Sequence, residues 1–196
     1  DSSARSGDGP RVRYYARRAA GDNMAKIIAI ANQKGGVGKT TTTVNLGAAL
    51  ALQGKNVLVI DTDPQGNTTS GLGIDKSANE TTIYEVLIKS EPVDKATLSS
   101  KVPNLFVVPT NVHLAGAGVE LVDVKDRERF MKNALAAVDD KYDFILIDCP
   151  PELGLITLNN LTAANSVLIP LQCEYYALEG VSDLLDTVML VQKELN

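Results

Sequence analysis

The sequence has very little with which to build a zinc site or a disulfide framework. It carries two cysteines, Cys149 and Cys173, and a single histidine, His113, in 196 residues. Cysteines this far apart, with no CxxC pair and no His/Cys cluster, argue against both, and they point to a reducing cytoplasm. Long apolar runs are missing as well. None approaches the ~20 residues of a membrane-spanning helix. No stretch reads as a secretory signal.

Positive charge is scarce outside the first 23 residues. The whole chain carries −5. Residues 1–23 hold Arg5, Arg11, Arg13, Arg17 and Arg18 against Asp1, Asp8 and Asp22, a net of +2, so residues 24–196 carry −7. An acidic body argues against broad, constitutive nucleic-acid binding but leaves room for a local basic patch. Residues 1–23 show no sustained period and are rich in Gly, Ser, Ala and Arg. They read as a disordered basic arm or as an extension ahead of Met24. Their acidic residues weaken a transit-peptide reading.

The remainder, residues 24–196, is long enough for one domain, and the 44% hydrophobic content of the whole chain suits a globular core. Short β-branched runs at 26–31, 56–60, 104–108, 143–147 and 166–170 read as strands. Helical patterns fall at 40–54, 81–89, 126–138, 154–163 and 177–195. Short buried strands separated by amphipathic helices predict an α/β fold: a mostly parallel β-sheet with helices on both faces.

Residues 32–43 read "NQKGGVGKTTTT". Gly38, Lys39 and Thr40 complete a GxxxxGK[ST] phosphate loop, but Gln33 stands where the first glycine belongs, and Lys34 is a second lysine. The run leaves a strand and opens a helix. There the free N–H groups and the helix dipole attract anions. Gly35, Gly36 and Gly38 permit close backbone approach. Lys39 is placed for the β- and γ-phosphates, and the Thr40 hydroxyl for Mg²⁺. On chemistry alone, Lys34 is either a solvated surface lysine or a charge delivered to another molecule's nucleotide.

Two acidic motifs end strands. In "VLVIDTDPQGN" (57–67), Asp61 and Asp63 are two residues apart, so both can face one ligand at the C-terminal end of a sheet. A carboxylate there can orient an attacking water or hold hydrated Mg²⁺; Asp-Pro and Gln-Gly-Asn also make a good turn. "DFILIDCPPELG" (143–154) runs four apolar residues into Asp148, a position that supports Mg²⁺ through water. Pro150 and Pro151 then shape a loop suited to sensing a γ-phosphate. Cys149 reads as a small buried residue, because no histidine lies near it in sequence to activate it.

"KGGVGKT" resembles the deviant phosphate loop of the ParA/MinD superfamily of P-loop ATPases. "DTDPQGN", "IDCPPELG" and "LIPLQCEYYALEG" (168–180) are similar to the corresponding segments of its ParA/Soj partition branch, from about Met24 to Asn196. The resemblance implies a P-loop NTPase-type fold, ATP and Mg²⁺ as cofactors, and a homodimer that encloses two nucleotides. It implies that Lys34, Gly35, Gly36, Val37, Gly38, Lys39, Thr40 and Thr41 line the nucleotide, and that Lys34 crosses to the partner's ATP. Lys34, Lys39 and Asp63 are then the catalytic residues, and Thr40, Asp61 and Asp148 the magnesium-side residues. It further implies slow, partner-stimulated ATP hydrolysis, nonspecific DNA binding, a ParB-like partner and a nucleoid location. The family continues past the end of this sequence, so a C-terminally truncated fragment with an incomplete sheet is expected. Contacts to adenine and DNA then lie beyond residue 196.

Three rivals remain in view. A MinD-like ATPase cycles on a membrane through a C-terminal amphipathic helix. Here "VSDLLDTVMLVQKEL" (181–195) sets Asp183, Asp186 and Glu194 against Lys193 alone, whereas a membrane-surface helix favours Lys and Arg. It reads instead as a core-facing helix, and no membrane partner is expected. A nitrogenase iron-protein type of reductase needs cluster-ligating cysteines, and Cys149 and Cys173 stand in the wrong contexts. A non-catalytic, ATP-gated module differs only in turnover.

Overall fold

The β-branched runs become the strands of one sheet because residues buried on both faces are best served by Val, Ile and Leu. The computed structural model describes residues 24–76, 80–172 and 179–196. The arm at 1–23 and residues 173–178 of the "LIPLQCEYYALEG" motif, Cys173 included, lie outside the described residues.

In chain order the strands are β1 (Lys26–Ile30), β2 (Val57–Asp61), β3 (Leu98–Ser99), β4 (Leu105–Val108), β5 (Phe144–Asp148) and β6 (Ser166–Leu168). They lie side by side as β3-β4-β2-β5-β1-β6. All neighbours are parallel except β3, which runs antiparallel to β4 at one edge. This is the expected α/β, mostly parallel sheet. The eight helices of the described residues are α1 (Lys39–Leu52), α2 (Asn67–Gly71), α3 (Ile83–Ile88), α4 (Val93–Ala96), α5 (Ala117–Glu120), α6 (Phe130–Leu135), α7 (Leu155–Ala163) and α8 (Glu179–Glu194).

Strand periodicity divides the core in two. Val57, Val59, Leu105, Val107 and Leu146 meet the side chains of α1 on one face. Leu58, Ile60, Phe106, Val108, Ile145 and Ile147 form the other face with residues of α3, α6, α7 and α8. Asp61 and Asp148 continue the α1 face by two residues, and they sit opposite each other in the β2–β5 register. Sheet geometry alone therefore sets both carboxylates beside the first turn of α1.

Several elements differ from their sequence pattern. The helix expected at 126–138 is a 3₁₀ turn, Arg127–Arg129, followed by the short α6. Asp126 before it adopts a left-handed φ of 56°, which an α-helix cannot continue through. The helix expected at 81–89 begins at Ile83, where Thr82 and Glu85 form a capping box. The edge strand β3 and the short α2, α4 and α5 have too few residues to show a period. The core-facing reading of α8 describes one side of it: Leu184 and Val191 are buried, whereas Leu185, Met189 and Leu190 stand exposed. Among the described residues no helix is long and apolar enough to cross a membrane.

Candidate nucleotide-binding site

The loop between β1 and α1 is built to leave helix N–H groups unclaimed. Its last residue, Gly38, is the N-cap of α1 at φ 94°, and no side chain caps the helix there. Most helices satisfy these donors with Ser, Thr, Asp or Asn. A glycine in this conformation presents bare N–H groups instead, the arrangement that binds phosphate. Gly36 also has a positive φ, 75°, so both positions exclude ordinary side chains. α1 then opens with "KTTTT", in which the four threonines are poor helix formers. Chemistry at this end outweighs helix propensity.

Within the loop, Val37 and Lys39 are buried, and Lys34, Gly35 and Gly36 are exposed. The Lys39 ammonium donates to the backbone carbonyl of Lys34 at 3.3 Å. It is therefore already folded back over the loop. Thr41 lies exposed on the first turn of α1.

Behind the loop, Asp148 gathers hydroxyls. Thr40 Oγ1 and Thr68 Oγ1 donate to Asp148 Oδ2 at 2.9 and 2.6 Å, and Thr43 Oγ1 reaches Oδ1 at 3.3 Å. Asp61 is fully buried. Its Oδ2 accepts the Thr69 N–H and the Thr69 hydroxyl, both at 2.7 Å, and its Oδ1 accepts the Asp63 N–H at 3.2 Å. Asp63 is half-buried, and its Oδ1 accepts from Gln65 N at 3.0 Å. The structure thus brings Thr40 and Asp148 into contact and sets Asp61 next to them. It holds Asp63 on the turn that follows.

Burial pushes the Asp61 carboxyl up to about 7, against the pull of its Thr69 bonds and with the Asp148 charge adding to the rise. Burial likewise raises Asp148, its three hydroxyl donors opposing. Two adjacent desolvated carboxylates favour a cation in front of them. The donors are hard oxygens, from Thr40, Asp61 and Asp148, and this set suits magnesium, which takes few protein ligands and completes its shell with phosphate and water. The residues present therefore fit that ion. Cys149 is fully buried, and burial pushes its thiol up to about 12. It is no nucleophile at neutral pH.

Sequence reasoning missed the threonines of α2 and the buried asparagines. Thr68 and Thr69 are fully buried on a five-residue helix. Their only signal was a hydroxyl pair directly after "DPQGN". Asn160 Nδ2 donates to Thr62 Oγ1 at 2.7 Å, and Thr62 Oγ1 donates to the Asp148 carbonyl at 2.7 Å. This chain of bonds ties α7 to the ends of both aspartate strands. No local pattern could have announced it.

A family model described as an AAA domain matches residues 25–196. The sporulation initiation inhibitor protein Soj of Bacillus subtilis is 60% identical over 173 residues, covering 88% of this chain and 68% of that protein. The chain belongs to the ParA/Soj family. The chromosome partitioning protein ParA of Myxococcus xanthus is 53% identical over 88% of this chain and 61% of its own length. The chain thus spans about two thirds of the length of these relatives. Among solved structures, one titled cobyrinic acid a,c-diamide synthase, from Mycobacterium smegmatis, matches with a TM-score of 0.84 and 44% identity, over 88% of this chain and 70% of that one. That protein was solved with an ATP analogue and magnesium bound. The P-loop NTPase-type fold expected from the phosphate loop is the fold of this ParA/Soj chain.

Proposed function

We propose that this chain is the nucleotide-binding part of an ATP-gated homodimer switch that hydrolyses ATP slowly and drives chromosome or plasmid partition. The observation that carries the dimer reading is Gly35. Its φ lies outside the left-handed region, and a Cβ built there meets nothing within 4 Å. Among the described residues nothing crowds this exposed position. A second chain pressed against the loop would call for a glycine here. Lys34, beside it and also exposed, is then placed to reach the partner's nucleotide.

In this reading Lys39 and the bare N–H groups of α1 hold the phosphates in cis. Thr40 and Asp148 hold magnesium, with Asp61 behind them; when bound, magnesium neutralises charge on the phosphate oxygens. Asp63 orients the attacking water. Lys34 adds positive charge from the partner, as an arginine finger does. Dimerisation on ATP creates a surface that binds DNA through phosphate contacts without reading sequence. A ParB-like partner speeds hydrolysis and releases the dimer from the nucleoid.

The test uses the natural full-length protein carrying Asp63→Ala, so that bound ATP persists. Its binding to random-sequence DNA is measured with ATP and with ADP, at two salt concentrations. Tight binding with ATP alone, weakening steeply with salt, supports the partition switch. No binding with either nucleotide rejects it and turns attention to a MinD-like membrane cycler, for which liposomes are the next surface.

A further inference from the structure

We infer that Asn32 is the positioning residue for Lys34, fixing the lysine's peptide to the sheet so that its side chain can serve the partner's nucleotide. The inference rests on the dimer reading above. Asn32 is 4% exposed and uses both ends of its amide. Its Oδ1 accepts the Lys34 N–H at 2.9 Å, and its Nδ2 donates to the Pro170 carbonyl at 2.8 Å. One rung earlier, Ala31 N donates to the Leu168 carbonyl at 3.1 Å. The Asn32 side chain therefore extends the β1–β6 ladder one step past the strand ends and hands its rigidity to the first residues of the loop.

The same strap grips the loop again beyond Lys34. Gln172 Nε2 donates to the Gly36 carbonyl at 3.3 Å. Residues 170–172 thus hold the loop on both sides of the lysine, which gives a role to the start of the "LIPLQCEYYALEG" segment.

Asn32 differs from the Lys39 contact with Lys34. The Lys34 carbonyl accepts from the Lys39 ammonium, and that ammonium is the group phosphates compete for. The Asn32 bonds do not involve the Lys39 ammonium. When ATP draws Lys39 away, the Asn32 bond still holds the Lys34 peptide. Asparagine carries an acceptor atom and a separate donor atom side by side on a short stem, so it can hold two partners at once. Aspartate would set a second acceptor against the Pro170 carbonyl, and serine would keep the turn acceptor but not reach Pro170.

The test measures ATP affinity by calorimetry and dimerisation by sedimentation, with magnesium and a non-hydrolysable ATP analogue, in the natural full-length protein. Lys34→Ala is the reference. Asn32→Ala is expected to weaken the dimer about tenfold or more while monomer nucleotide affinity stays within about threefold, as loss of a hydrogen bond outside the nucleotide contacts would do. Asn32→Ser is expected to fall between Asn and Ala. A normal dimer in Asn32→Ala, with Lys34→Ala monomeric, overturns the inference. So does a nucleotide affinity that falls in parallel with dimerisation, because Asn32 then shapes the cis site. If Asn32→Ala does not fold, a wild-type dimer in Asn32→Ser overturns it. A normal dimer in Lys34→Ala overturns the underlying reading instead.

Discussion

The Thr40 hydroxyl donates to Oδ2 of Asp148 at 2.9 Å, joining the first turn of α1 to the end of β5. The same oxygen accepts the Thr68 hydroxyl at 2.6 Å. Asp148 thus aims the residue that would ligate magnesium, and holds α2 against it. Asp148→Asn removes the charge and turns one acceptor into a donor, so one hydroxyl must reverse. The magnesium concentration needed for ATP binding is expected to rise about 10- to 100-fold, the usual cost of losing an orienting partner at a metal. Calorimetry across a magnesium series checks it, and an unchanged requirement removes Asp148 from the magnesium side.

Asp61 makes a prediction with a sign in pH. Its folded pKa, about 7, lies above its ordinary 3.8 because the carboxylate is buried. The folded state holds this proton more tightly than the unfolded chain does. The group therefore favours folding most below about pH 4, and that contribution is lost as pH rises to about 7. Asp61→Asn has no proton to lose and keeps an oxygen for the two Thr69 donors. The thermal stability of the nucleotide-free variant, relative to the parent, should climb between pH 4 and 7 and level off above. A gap of about 1–3 kcal/mol at pH 8 is expected, below the full linkage value because some relaxation accompanies ionisation. A flat difference across pH would show that Asp61 titrates as an exposed carboxylate.

The strands and the phosphate loop were legible because their signals are local. A strand buried on both faces, such as Val57–Asp61, is written in Val, Leu and Ile up to its last residue, and "GKT" must follow a strand to do its work. Asp148 was legible for the same reason, as the polar end of an apolar run. The partners of these residues were not. Asn32 and Pro170 are separated by 138 positions, and Asn160 and Thr62 by 98. A side-chain amide or hydroxyl is recruited by whatever donor or acceptor tertiary structure brings near, and nothing in its own neighbourhood records the choice. Short elements such as β3, with two residues, fail for a different reason: they end before a period can repeat.

Gly47 tests how closely α1 rides on the sheet. A Cβ there would stand 3.1 Å from Val59 Cγ2, 3.3 Å from Leu105 Cδ1 and 3.6 Å from Leu146 Cδ1. Glycine weakens a helix interior by about 1 kcal/mol relative to alanine, so the close approach must be what it serves. Gly47→Ala gains that propensity and pushes its neighbours by a few tenths of an ångström, and stability should change by less than about 1 kcal/mol. Gly47→Val adds a whole isopropyl group, two methyls more than alanine, to a filled space and is expected to destabilise by about 1–3 kcal/mol. Chemical denaturation of both variants checks the order. A Val variant as stable as the parent would mean that the α1–β2 seam is loose.

Lys39 and Asp63 should separate binding from chemistry. Lys39 is 8% exposed and its ammonium already points over the loop onto the Lys34 carbonyl. Lys39→Ala removes a charge-assisted contact and should weaken ATP binding by about 10- to 100-fold or more. Asp63 stands on the turn after β2, its backbone N–H held by Asp61 and its carboxylate accepting from Gln65 N. In the proposed reading it is the group that orients the attacking water. Asp63→Ala should leave ATP affinity near the parent's and lower turnover about 100-fold or more, the scale of a lost proton-transfer group. Calorimetry and phosphate release measure the two quantities separately. If Asp63→Ala turned over normally, Asp63 would leave the catalytic set; if Lys39→Ala bound ATP normally, the loop would not be the nucleotide site.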